Sequence, residues 1–111
     1  MKKIAILTCL KATEICSGAS CFVALNDRAA HFEAYKDEDV KIVAFFHCNG
    51  CKADYQNDLQ YLEKVERVCK ACPDVIHVGK CTYYQRDLCP VIEDMIKYFE
   101  AHGIKTVIGT H

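Results

Sequence analysis

The stretch Ile42-Val43-Ala44-Phe45-Phe46-His47-Cys48-Asn49-Gly50-Cys51 decides how this chain folds. Its first five residues are apolar, with β-branched and aromatic members, and the run is too short for a helix; it reads as a buried strand. Asn49-Gly50 then bends the chain, so a histidine and two cysteines stand where the strand ends. The same arrangement recurs along the sequence. Ile4-Ala5-Ile6-Leu7-Thr8 runs into Cys9, and Val75-Ile76-His77-Val78 runs towards Cys81. Thr106-Val107-Ile108 runs into the closing Gly109-Thr110-His111.

Helical segments separate these strands. Phe22, Leu25, Ala29, Phe32 and Tyr35 recur at helical spacing after a polar loop over 11–20 that holds Cys16. Tyr55, Leu59, Leu62, Val65 and Cys69 form a second stripe, with Asp54 as its expected N-cap. A third helix starts at Cys89-Pro90, buries Val91 or Ile92 with Met95, Ile96 and Phe99, and ends at Gly103. Strands joined by helices imply a parallel sheet with right-handed crossovers. The expected fold is α/β, a three-layer sandwich of flavodoxin-like or Rossmann-like type with about four strands in the order 2-1-3-4.

Residues 1–111 are read as one domain, long enough for a core and too short for two. The chain is 51% hydrophobic and 26% charged, with a net charge of −1. That balance offers no electrostatic footprint for nucleic acid. The apolar runs are strand length, which argues against a membrane span. Met1-Lys2-Lys3 leads into a short strand without a small-residue cleavage site, so no signal peptide is expected. Nine cysteines, an odd number, without an export signal point to a reducing cytoplasm, where such residues bind metals or catalyse.

In open α/β sheets, ligands bind outside the carboxyl ends of the strands. Cys9, His47, Cys48, Cys51, Cys81 and His111 belong to that rim. Cys16 and Cys21 lie in its first loop, and Cys89 at the start of the last helix. Cys69 and Cys72 fall at the opposite edge. Cys48-x-x-Cys51 has the spacing for one tetrahedral ion or for a reversible disulfide. Cys69-x-x-Cys72 has the same spacing, but Cys69 continues an apolar stripe and reads as structural. With Cys9 and Cys81 from flanking strands, Cys48 and Cys51 make the preferred four-ligand set; four thiolates suit Zn²⁺ or an iron–sulfur cluster equally. His47 should point away from Cys48 and reads either as a wall residue or as a ligand. His111 is a frayed terminus or a ligand, His77 a hydrogen-bonded core histidine, and His31 and His102 surface residues. Tyr83-Tyr84-Gln85-Arg86-Asp87 is either a lid over a small anion or a packed surface loop.

These residues together resemble the CGGC-domain family, small prokaryotic proteins of undefined biochemical role. The matching features are Lys2-Lys3-Ile4 with Cys9, the pair Cys16 and Cys21, and Phe46-His47-Cys48-Asn49-Gly50-Cys51. Asp74 to Val78 leading to Cys81, Cys89-Pro90 and the final Gly109-Thr110-His111 complete them. Asn49 stands where the family has glycine; asparagine tolerates left-handed backbone, so the turn should survive. The resemblance implies metal binding, often of zinc, and strengthens Cys16, Cys21, His77, Cys89 and His111 as site residues. It adds nothing for Cys69 and Cys72.

The expectation is a cytoplasmic metal-binding protein holding zinc or an iron–sulfur cluster at the rim, with the metal ion as partner and neither nucleic acid nor membrane. The alternative is a thiol-disulfide enzyme using Cys48 or Cys51, activated by a helix N-terminus just after it. A third reading is a structural domain that a metal stabilises. Nucleotide binding lacks a glycine-rich phosphate loop, and a phosphatase-type loop fails because no arginine follows Cys9 or Cys16 by six residues.

Overall fold

The computed structural model describes residues 1–111. Strands β1 (Lys2–Thr8), β2 (Val40–His47), β3 (Val75–Val78) and β4 (Lys105–Ile108) form one sheet in the order β2-β1-β3-β4. All three pairings are parallel. The helices are α1 (Ala19–Asn26), α2 (Leu59–Lys70) and α3 (Pro90–Ala101). The expected α/β class and strand order are both found.

Alternation along the central strands builds a core on each face. Ala5 and Leu7, with Ile76 and Val78, pack beneath α2 and α3 against Tyr61, Ile92, Met95 and Phe99. Ile4, Ile6 and Val75 face the other way, onto Cys21, Leu25, Phe32 and Tyr35. Those two cores make the three layers. No helix is long and apolar enough to cross a membrane.

One irregularity controls the rim. Ile4 pairs with Ile42, but Ala5 pairs with Ala44, so Val43 is an extra residue bulged into β2. Without it, Ile42, Ala44 and Phe46 would share a face. Instead Ile42 packs with the α1 layer, while Ala44 and Phe46 pack with α2 and α3. The bulge thereby turns Cys48 into the α2–α3 core and His47 to the opposite side.

The first helical stripe is not one helix. α1 stops at Asn26, and the chain resumes as a 3-10 segment, Ala30–Tyr35. Arg28 (φ 53°) and Ala30 (φ 50°) adopt left-handed backbone between them. The Arg28 guanidinium covers the break, donating to the carbonyls of Leu25, Tyr35 and Glu38. Leu25, Phe32 and Tyr35 are buried as expected, whereas Ala29 is exposed.

α2 begins four residues later than its sequence suggests. Asp58, not Asp54, is the N-cap, accepting from the Gln60 and Tyr61 amides at 3.0 and 3.3 Å. Asp54 closes a turn of its own, accepting from the Gln56 amide at 2.9 Å and from the Asn57 side chain. Leu59 is consequently 83% exposed, and Tyr61 takes the inward position. α3 behaves as read: Cys89 is its N-cap, Pro90 opens it, Ile92 rather than Val91 is fully buried, and Gly103 turns out of it at φ 81°.

Candidate functional site

The carboxyl ends of β1 and β3 and the loop after β1 enclose a cavity of about 600 Å³. Cys9, Cys16, Cys21, Cys51, Cys81 and His111 line it. Cys9 and Cys21 are buried, Cys16 and Cys81 half-buried, and Cys51 and His111 exposed at its edge.

Four of these sulfurs are held by specific contacts. The Cys81 thiol accepts from the Cys9 amide at 3.2 Å, and Cys16 from the Gly18 amide at 3.4 Å. Cys21 donates to Thr110 Oγ1 at 3.4 Å and lies 3.7 Å from His111 Nδ1. The Arg86 guanidinium reaches the Cys81 carbonyl at 3.3 Å and the Cys9 sulfur at 4.0 Å. Burial pushes the Cys81 thiol up despite the Cys9 amide, and the neighbouring thiols Cys9, Cys16 and Cys21 add to the rise. Burial likewise raises Cys21, opposed by its Thr110 bond and reinforced by Cys16. Cys81 therefore has three other thiols as neighbours in this cavity, and Cys21 has Cys16.

The remaining candidates stand behind or beside it. Cys48 is buried in the α2–α3 core, where its sulfur accepts from the Leu10 amide at 3.4 Å; with Cys9 and Cys51 it lines a smaller adjoining depression. Cys89 is buried in the same core. His47 bonds through Nδ1 to the hydroxyl of the cavity-lining Thr8 and packs edge-on against Phe45, without lining the cavity itself. Burial lowers its pKa, with the Lys64 charge assisting. Cys69 and Cys72 sit at the far end of α2, as the topology requires.

Asn49 has a different task from the one its backbone tolerance suggested. Gly50 supplies the left-handed residue of the turn, at φ 111°. The Asn49 side chain instead accepts from Lys64 Nζ at 2.8 Å, tying the turn to α2.

His77 is the core histidine its position predicted, and it organises the site indirectly. Its Nε2 pairs with the Tyr35 hydroxyl at 2.7 Å and its Nδ1 with the Gly109 carbonyl at 2.9 Å. A neutral ring donating from Nδ1 and accepting at Nε2 satisfies both partners. Gly109 also donates to Val78, and the Thr110 carbonyl accepts from the His31 amide. The tail is thus pinned so that Thr110 and His111 meet Cys21. Gly109, at φ 126°, has no room for a side chain because a Cβ would strike the His31 ring.

Sequence reasoning missed Thr110, fully buried against Cys21, and Lys80 and Lys11 at the cavity wall. Their adjacency to His111, Cys81 and the Cys9 loop was the available signal.

The family model for the CGGC domain matches residues 3–111. The chain belongs to the CGGC-domain family. An uncharacterised protein from Methanocaldococcus jannaschii is 36% identical, the alignment covering 98% of this chain and 86% of that protein. No solved structure matches. Nine cysteines in a CGGC domain are compatible with metal binding. The cavity's donor chemistry fits a thiophilic ion or an iron–sulfur cluster. In the arrangement seen, however, no three Cys, His, Asp or Glu side chains stand within reach of a single ion.

Proposed function

We propose that this CGGC domain is a cytoplasmic metal-binding protein that holds zinc or an iron–sulfur cluster through the cavity thiols. The observation that carries the reading is the gathering of five cysteines and His111 around one cavity. Amide contacts to Cys16 and Cys81 support it, since N–H donors stabilise a sulfur that has lost its proton. Cys9, Cys16, Cys21 and Cys81 are the primary donors on this reading. Cys51 and His111 are edge ligands, and His47, Cys48 and Cys89 support the rim from behind. Zinc needs its sulfurs at about 2.3 Å, so binding must draw the loop after β1 inwards. A reducing cytoplasm keeps the thiols available.

Anaerobic purification with elemental analysis and a visible spectrum tests this directly. Zinc gives roughly one colourless ion per chain, whereas a cluster gives visible absorption. Substituting Cys9 and Cys81 by serine should abolish either. Full metal content in that double variant would move the site.

A thiol-disulfide enzyme is the second reading, because exposed Cys51 and buried Cys48 line one depression, as an attacking thiol and its resolver would. Its expected activation is weakened by the fold: α2 starts at Leu59, so Cys51 is not at a helix N-terminus. Alkylation of the reduced protein separates the two. A single fast thiol among Cys48 and Cys51 that metal does not protect favours the enzyme; joint protection of the cavity cysteines favours the metal holder.

A further inference from the structure

The mouth of the cavity carries charge that the thiols do not require. Lys11, Lys80 and Arg86 line it against one acidic side chain, Glu14, in a chain whose net charge is −1. None of the three is paired. The molecule's ion pairs are Arg67–Glu63 and Lys97–Glu93, both on exposed helix surfaces elsewhere. Arg86 uses Nη2 on the Cys81 carbonyl and the Cys9 sulfur, leaving the other guanidinium donors without a protein partner. Lys80 Nζ lies 5.8 Å from the centre of the Tyr84 ring, so a cation and an aromatic face occupy the same side of the opening.

Much of the remaining lining is apolar. Tyr84 is 58% exposed and Ile15 is 94% exposed, which is unusual company for three unpaired cations. The cysteine side chains of the lining also behave as small hydrophobes. Apolar side chains and unpaired cations in the lining of one cavity match a ligand with a non-polar body and one anionic head. A guanidinium fork with free donors selects an oxyanion by geometry as well as charge.

We propose that this cavity binds a small organic anion, its carboxylate or phosphate head held by Lys80, Arg86 and Lys11 and its body lying against Tyr84, Ile15 and the cysteines of the lining. The site shares the cavity of the metal reading but needs no metal, because every group it uses is a side chain of the reduced chain. The anion would sit beside Cys9, whose sulfur Arg86 touches. Raising the salt concentration should weaken it, since the cations are exposed.

The test uses the full chain, reduced and freed of metal with a chelator, titrated calorimetrically with four probes. Benzoate and phenyl phosphate carry both halves of the ligand; inorganic phosphate and benzyl alcohol carry one half each. Both complete probes should bind at least about tenfold more tightly than either half, a difference of about 1.4 kcal/mol. The better of benzoate and phenyl phosphate identifies the head. Arg86→Ala and Lys80→Ala should each weaken the complete probes, while Lys97→Ala on α3 leaves them unchanged. Equal binding of inorganic phosphate and phenyl phosphate overturns the proposal, as does a Lys80→Ala, Arg86→Ala double variant that binds like the parent. Absence of binding by both complete probes overturns it too, and that result leaves the metal reading standing. Loss of metal binding with anion binding retained does the reverse.

Discussion

Two Cys-x-x-Cys pairs in this chain share a spacing and almost nothing else. Cys48 and Cys51 follow a strand at the carboxyl rim, and the turn between them uses Gly50 for its left-handed residue. Cys69 and Cys72 end a helix at the opposite edge, and there Cys72 itself takes the left-handed position at φ 55°. The Cys48 sulfur accepts a backbone N–H, whereas Cys72 donates to the Lys70 carbonyl. Burial raises the Cys69 thiol, and Cys72 and Glu66 raise it further. A helix C-terminus disfavours negative charge, so the far pair sits where thiolates are least welcome. Spacing alone cannot tell these pairs apart; the end of the sheet does.

The largest test of that contrast is metal affinity. Serine at both Cys9 and Cys81 should weaken zinc binding by roughly a thousandfold or more, since a broken tetrahedral set loses most of its binding free energy. Serine at both Cys69 and Cys72 should leave it within about twofold. Competition against a coloured chelator measures both. If the far pair proves as costly as the rim pair, the division by sheet edge is wrong.

Much of this division was legible because it depends on long-range regularities. Apolar runs ending at Cys9, Cys48 and Cys81 required only strand-length periodicity and parallel crossovers, and those set the rim. What could not be read were the local interruptions. The Val43 bulge leaves no mark in an unbroken apolar run, yet it sends Cys48 into the core and His47 outward. The α1 break at Arg28 is hidden because Phe32 and Tyr35 stay in helical phase by chance across it. Asp54 and Asp58 both satisfy the N-cap rule, and only the burial of Tyr61 in place of Leu59 decides between them. The C-terminal contacts of Thr110 depend on His77 and Gly109, which no neighbour-to-neighbour rule connects.

The tail offers the next test, now of the rim's construction. Gly109→Ala should cost about 1–3 kcal/mol, from a left-handed backbone and the His31 ring in the way. Tyr35→Phe should cost about 1–2 kcal/mol by orphaning His77 Nε2. Chemical denaturation of the metal-free protein reads both. The pH dependence sharpens the assignment. Burial lowers the His77 pKa below 6.5; the Gly109 carbonyl opposes this, and His31 and Lys105 assist it. The unfolded chain therefore binds the proton more readily. The stability that neutral His77 contributes is complete above pH 6.5 and is lost as the pH falls below it. A His77→Leu variant, less stable throughout, should show a shallower decline on acidification. An unchanged slope would assign the decline to other groups, His47 first among them.

At the start of α2 the expected effects are smaller and concern only the helix. Asp58→Ala removes the acceptor for two amides and should cost about 1 kcal/mol, while Asp54→Ala should cost less because its turn is exposed. Reversed magnitudes would restore the earlier helix start. The decrement should leave metal affinity untouched, as neither aspartate lines the cavity.

The smallest effect is also the one that isolates the far pair most cleanly. Cys72 follows the C-cap Ala71 in the position where helices usually place glycine, and its amide donates to Cys69. A side chain in left-handed backbone costs about 1–2 kcal/mol. Glycine there gives back about half of that through the greater freedom of the unfolded chain. Cys72→Gly should therefore raise stability by about 0.5 kcal/mol in a urea titration. If Cys72 were a ligand or a redox partner of Cys69, the same change would instead lower metal content or alter the reactivity of Cys69. A gain in stability with both unchanged makes Cys72 a helix terminator, and leaves chemistry to the rim.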